Sequence, residues 1–212
     1  MTKGVEPPAN CPLCPRLAAL RRQLRHDQPG WHNAPVAAFG PIEARVLVVG
    51  LAPGLKGANR TGRPFTGDDA GGFLYATLRK AGFATGTYAA DGDDDLALEG
   101  CRVTNAVRCL PPGNKPTGSE IAACRPHLAR EIAAMADLRA IVALGRVAHG
   151  ATLSALGHKA SAAGFGHGAV HCLDTVTLFD SYHCSRYNTN TGRLTAPMFE
   201  RVFDAVRSHL RG

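Results

Sequence analysis

Arg45-Val-Leu-Val-Val-Gly-Leu51 is an apolar run through which no polar residue alternates. A strand with one wet face would alternate, so the continuous run is the pattern of a strand covered on both faces of a parallel sheet. Working outward, Arg102-Val-Thr-Asn-Ala-Val107 and Arg139-Ala-Ile-Val-Ala-Leu-Gly145 read as a second and a third strand, and residues 170–180 supply one or two short ones. Helices are predicted between them. Phe73, Leu74, Leu78 and Ala81 fit a helix stopping at Gly82. Thr117 and Glu120 are placed as a capping box, ahead of a stripe of Ile121, Leu128, Ile132 and Met135. The third strand leads into another helix, and Pro197 opens a last one carrying Phe199, Val202, Phe203, Val206 and Leu210. Near the start, Leu13, Leu17, Leu20 and Leu24 recur around Pro15 with Arg16, Arg21, Arg22 and Arg25 between them, predicting a short basic amphipathic helix. Residues 1–10 read as a loose terminus, 26–44 as turn-rich, and Asp91 to Asp95 as an acidic loop. The alternation of strands and helices predicts one α/β domain over residues 1–212, with ligands at the carboxyl ends of the strands.

Composition narrows the class further. The 212 residues are 45% hydrophobic and 19% charged, which excludes a disordered chain, and no apolar run approaches the roughly 18 residues that span a bilayer. The opening residues lack the apolar core and small-residue cleavage site of a signal peptide, which predicts a cytoplasmic protein with no membrane partner. Twenty-four Lys and Arg against 17 Asp and Glu give a net charge of +7, which suits a polyanionic partner without requiring one. Seven cysteines, an odd number, argue against a disulfide framework and for metal or cluster ligation.

Three constellations carry chemistry. The first strand runs into a glycine-rich, basic loop from Ala52 to about Gly67 that matches neither the Walker nor the dinucleotide spacing, so a mononucleotide phosphate site is disfavoured. Cys11-x-x-Cys14 joins Cys109 and Cys124 as four potential thiolate ligands, and spacing alone leaves zinc and an iron-sulfur cluster equally open. Cys101, Cys172 and Cys184 fall outside that pattern and read as small buried apolar residues or incidental thiols. His183 follows an apolar strand and begins a polar loop, which puts it at the carboxyl end of the sheet. The other eight histidines, His127 and His149 among them, read as surface or packing residues.

Gly50-Leu-Ala-Pro-Gly54 followed by Gly57-Ala-Asn-Arg-Thr-Gly-Arg-Pro-Phe-Thr-Gly-Asp68 resembles the first motif of the fifth family of uracil-DNA glycosylases, often called type b. Asn105-Ala-Val107 resembles the strand-end segment with which that superfamily reads the uracil edge. Ser181-Tyr-His-Cys-Ser-Arg-Tyr-Asn-Thr-Asn-Thr-Gly-Arg-Leu-Thr195 resembles its second motif, usually His-Pro-Ser and a loop entering the minor groove. Two positions depart from the wider pattern. Cys184 stands where proline is usual, which predicts a less rigid loop, and Ala52 stands where the best-studied enzymes carry a water-polarising Asp, although Ala is the habit of type b.

The resemblance implies a central four-stranded parallel sheet in a three-layer sandwich. It implies a monomeric, nucleoid-associated enzyme that removes uracil, together with other deaminated bases such as hypoxanthine and xanthine, from DNA. It assigns a 4Fe-4S cluster, with zinc as the alternative occupant, to Cys11, Cys14, Cys109 and Cys124. Gly50, Ala52, Pro53 and Gly54 would line the base pocket, Phe65 would stack on the base, Asn105 would bind its edge, and His183 would donate to its carbonyl. Asp68, held ionised at a helix N-terminus, or else Asn59 would position the water. Arg60, Arg63, Ser185, Arg186, Asn188 and Arg193 would meet the DNA. The missing acid at Ala52 leaves a noncatalytic DNA-binding or redox-sensing protein as the alternative.

Overall fold

The computed structural model describes residues 4–212. In chain order the elements are α1 (Pro15–Asp27), β1 (Val46–Gly50), α2 (Ala58–Thr61), α3 (Asp69–Lys80), β2 (Ala84–Thr85), β3 (Ala97–Leu98), β4 (Cys101–Asn105), α4 (Gly118–Ala134), β5 (Ala140–Leu144), α5 (Arg146–Ala155), β6 (Val170–Cys172), β7 (Thr177–Ser181), α6 (Arg186–Asn190) and α7 (Ala196–His209). Four strands in the order β4-β1-β5-β7 pair in parallel, as the unbroken apolar run of β1 predicts, and β6 adds a short antiparallel edge. All residues of the four parallel strands are buried.

Successive side chains of a strand point to opposite faces, and β1 divides accordingly. Val46 and Val48 pack with Leu74 and Leu78 of α3 and Phe199 and Phe203 of α7, while Leu47 and Val49 pack with Leu128 of α4 and Leu153 of α5. The result is three layers. Parallel pairing sets Gly50 opposite Asn105 and Leu144 opposite Ser181, so all four strands end along one rim. Thr117 caps α4 as the sequence predicts, its hydroxyl accepting from the Glu120 amide while the Glu120 carboxylate accepts from the Thr117 amide.

Three local expectations are corrected. The acidic loop is clasped by the small β2–β3 ribbon, and the glycine-rich and His183 loops each contain a short helix, α2 and α6. Helices of four or five residues are too short to leave a periodic signal. Residues 4–10 are also tied down. Glu6 accepts from Arg102 and Arg108, each at 2.9 Å, and from the Ala38 amide at 3.1 Å.

The other side of this ionic knot is Glu131 of α4, which is fully buried and accepts from Arg102 Nε at 2.7 Å and from Arg108. Two guanidiniums and two carboxylates thus offset one another where a lone charge would be costly. Glu131→Ala leaves both arginines with Glu6 as their remaining charged partner and should lower unfolding free energy by about 3–5 kcal/mol, measurable by urea denaturation; a loss below about 1 kcal/mol would contradict this reading.

Candidate active site

At the rim, β1 and β4 open into a narrow recess bounded by Ala52, Pro53, Gly54, Ala58, Phe65, Asp68, Ala70, Asn105 and His183. A wider cleft of about 400 Å³ continues from it past Asn114, Ser185 and Arg186. Asn105 ends β4 beside Gly50, and its Oδ1 is buried without a hydrogen-bond partner among the described residues. A buried, unpaired acceptor aimed at a recess is ready for a donor from outside. Gly50 is required here because a Cβ at that position would lie 2.5 Å from Phe65 Cζ. Phe65, at φ +51°, turns its ring into the recess, 5.9 Å from the His183 imidazole and inclined to it by 28°.

His183 stands two residues beyond β7, held from behind by the Asn188 side-chain amide, which donates to its carbonyl at 2.8 Å. Ser185 caps α6. Cys184 is 1% exposed, with its thiol 3.7 Å from the Ala70 carbonyl. Burial and capping therefore hold the loop where proline was expected to. Burial also lowers the His183 pKa to about 4, so its ring is neutral near pH 7.

Asp68 caps the N-terminal end of α3 by position, with no side-chain capping bond. Protein packed around its carboxyl raises its pKa, only partly countered by the amides of Gly71 and Ala70, so the helix end does not dominate as expected. Gly57 makes room for this carboxylate, since a Cβ there would fall 2.5 Å from Asp68 Oδ2. Asn59 is not on the recess wall. It is 3% exposed and donates to Asn33 Oδ1 at 2.9 Å, fastening the glycine-rich loop to the end of α1, so it is out of position to hold a water.

The basic residues divide as well. Arg63 is spoken for: it grips Asp94 through two contacts of 2.5 and 2.6 Å and lies 5.2 Å from the Phe39 ring centre, which corrects its assignment to DNA. Asp94 in turn is held well below the usual carboxylate range by that guanidinium. Arg60 donates to the Lys56 and Ala90 carbonyls, at 2.9 and 3.2 Å. Arg186 is exposed at the cleft, and Arg193 is exposed with its guanidinium 4.6 Å from the Tyr182 ring centre. Tyr187 on α6 is 72% exposed, a residue sequence reasoning missed although an aromatic in a polar loop is a visible signal.

Cys11, Cys14, Cys109 and Cys124 converge on one pocket with Leu17, Arg21 and His127. Arg21 donates to Cys109 Sγ at 3.6 Å, the Arg108 amide to Cys124 Sγ at 3.3 Å, and His127 Nε2 lies 3.9 Å from Cys11 Sγ. Burial pushes Cys14 up to about 11 and Cys109 up to about 12. Cys101 and Cys184 are buried elsewhere, and Cys172 is exposed. His127 and His149 are buried, His127 beside Cys11 and His149 beside Asp180.

A recess at the carboxyl ends of parallel strands, with an aromatic ring, a neutral imidazole and an unpaired amide oxygen, defines an α/β protein whose site has the shape and polar groups to suit a flat polar ring. The profile of the "Uracil DNA glycosylase superfamily" matches residues 37–207. The chain is 48% identical over 199 residues to a type-5 uracil-DNA glycosylase of Thermus thermophilus, covering 91% of this chain and 90% of that one. It is 43% identical over 203 residues to one from Mycobacterium bovis, covering 91% and 75%, and 31% identical over 156 residues to a type-4 enzyme of Pyrobaculum aerophilum, covering 73% and 65%. The chain belongs to the uracil-DNA glycosylase superfamily. In a histidine NMR titration, one ring should have a midpoint near pH 4 and should vanish in His183→Ala; a His183 midpoint of about 6 or above would contradict the enclosed setting.

Proposed function

We propose that the protein excises uracil from DNA by hydrolysing the N-glycosidic bond and leaving an abasic site. The single observation that carries this reading is the orphaned Oδ1 of Asn105, in the recess that Phe65 and His183 also line. Uracil offers a ring N–H for that acceptor, a carbonyl for an imidazole donor and a flat face for Phe65.

A base within a duplex is out of reach, so the nucleotide is rotated out of the stack into the recess. Tyr187, exposed on α6 beside the cleft, fills the gap left in the stack, and Arg186 and Arg193 meet phosphates. As the bond breaks, negative charge gathers on the departing base and positive charge on the sugar. His183, fixed from behind by Asn188 and neutral, donates its ring N–H to the base carbonyl. Asp68, beside Ala52 in the recess, holds the attacking water and faces the developing positive charge. The same recess, lacking an acid at Ala52, admits other deaminated bases such as hypoxanthine and xanthine. We place the enzyme on chromosomal DNA in the cytoplasm, as a monomer. No helix among the described residues is long and apolar enough to cross a membrane.

Strand cleavage by hot alkali after incubation with a duplex carrying one uracil tests the activity. Release is expected from the uracil duplex and not from an undamaged one. His183→Ala should release about 10²-fold more slowly with DNA affinity nearly intact, as for any preorganised donor. DNA binding without release, by folded protein, would overturn the catalytic reading in favour of a binding protein.

The four convergent cysteines support a 4Fe-4S cluster. Four soft sulfur ligands in one largely apolar pocket, two of them already receiving N–H donors, form a donor set suited to it. Cys11, Cys14, Cys109 and Cys124 would hold the group, which would cross-link the start of the chain to the loop after β4 and to α4. Protein purified without oxygen should contain about four iron and four sulfide per chain, and Cys109→Ala should lose both together with thermal stability; zinc without iron or sulfide would contradict the assignment.

A further inference from the structure

Away from both the recess and the cysteines, His149 of α5, His171 of β6 and Asp180 of β7 bring two imidazole nitrogens and a carboxylate together, all within 4.8 Å of one another. Asp180 is fully buried, His149 is 3% exposed, and the His171 side chain keeps 17% of its surface open. His149 Nδ1 lies 2.8 Å from Asp180 Oδ1, and His171 Nε2 lies 3.1 Å from Asp180 Oδ2. The other nitrogen of His149, Nε2, lies 3.0 Å from the Ala163 carbonyl.

Proton accounting makes this arrangement informative. A neutral imidazole has one N–H, yet both ring nitrogens of His149 face oxygens that only accept, unless the carboxyl itself is protonated. If the N–H goes to Ala163, the Nδ1 lone pair points at a carboxylate, and something positive must lie between them. An extra proton would serve, and so would a metal ion. A metal-bound histidine commonly donates its remaining N–H to a backbone carbonyl, the very partner His149 has, and ligating carboxylates are themselves hydrogen-bonded, as Asp180 is by the Gly166 amide at 3.3 Å.

We propose that His149, His171 and Asp180 form a second metal site, for a divalent transition metal such as zinc. Two imidazoles and one carboxylate are hard and borderline donors that suit zinc and not an iron-sulfur cluster. Zinc bonds of about 2.0–2.1 Å in a tetrahedron set ligand atoms about 3.3 Å apart, so the two contacts to Asp180 would open by a few tenths of an ångström and the imidazole nitrogens, within 4.8 Å of one another, would adjust to the same spacing. The exposed side of His171 leaves access for the ion and for a water as fourth ligand. Phe165 packs edge-on to the His149 ring, with their centres 5.7 Å apart. Such an ion would pin the edge strand β6 and the helix α5 to β7, the strand that delivers His183 three residues after Asp180.

The test is zinc titration of the full-length, iron-loaded protein, with iron assayed before and after so that exchange into the cysteines is detected. One equivalent of zinc should bind with no loss of iron, and a hundredfold excess over Kd should raise the melting temperature by about 5 °C or more. His171→Ala, at the partly exposed ligand, and Asp180→Asn should each abolish that equivalent while keeping their iron. His171→Ala is the safer variant should Asp180→Asn fail to fold. No zinc uptake by the wild type, or the same uptake by His171→Ala, would overturn the proposal and leave a cluster held by protons alone.

Discussion

Gly50, Asn105 and Phe65 meet at the end of the β1–β4 ladder at a spacing that leaves no room for a side chain at position 50. Much of the recess depends on that contact. The parallel register fixes Asn105 opposite Gly50, the strand end turns the glycine-rich loop back over β1, and Phe65 takes a left-handed conformation to close the wall. A shift of one residue in the ladder would send Asn105 to the other face of the sheet. The unpaired amide oxygen is thus held by backbone pairing rather than by a mobile loop. That is the kind of preorganisation from which a site acting by charge stabilisation gains most.

The start of the chain is braced in three places to β4, the loop after it and α4. Glu6 enters the buried pair of arginines on β4 and the loop beyond it, Cys11 and Cys14 face Cys109 and Cys124, and Arg16 reaches the capping carboxylate Glu120 at 2.7 Å. Asn59 adds a fourth tie through Asn33. In the ionic ties, guanidiniums meet carboxylates, so the charges offset one another. Together the ties stiffen the loops that follow β1 and β4, the two strands from which the recess is built.

The layers of the fold were legible because a strand covered on both faces leaves an unbroken apolar run and an amphipathic helix leaves a period of about 3.6. The capping box at Thr117 and Glu120 was legible for the same reason, as a local rule of fixed spacing. The fifth strand's direction, the short helices α2 and α6 and the anchored terminus were not, since each is decided by distant partners. Site residues divided in the same way. His183, Phe65, Asp68 and Asn105 come together as their motifs suggested. Arg63 and Asn59 sit in the same motif, yet their polar groups are consumed by Asp94 and Asn33, residues whose proximity no spacing encodes. The cluster of His149, His171 and Asp180 is drawn from three elements and left no pattern at all.

The central claim is that a buried, unsatisfied acceptor supplied by Asn105 recognises the base as it leaves. Single-turnover release of uracil by Asn105→Ala, compared with wild type at matched melting temperature and matched affinity for undamaged duplex, tests it most directly. The account predicts a loss of about 10²-fold or more, since removal of a preorganised polar partner acts on the transition state. A rate within about threefold of wild type would contradict it, because a change of well under 1 kcal/mol in the barrier is too small for a hydrogen bond on which recognition depends.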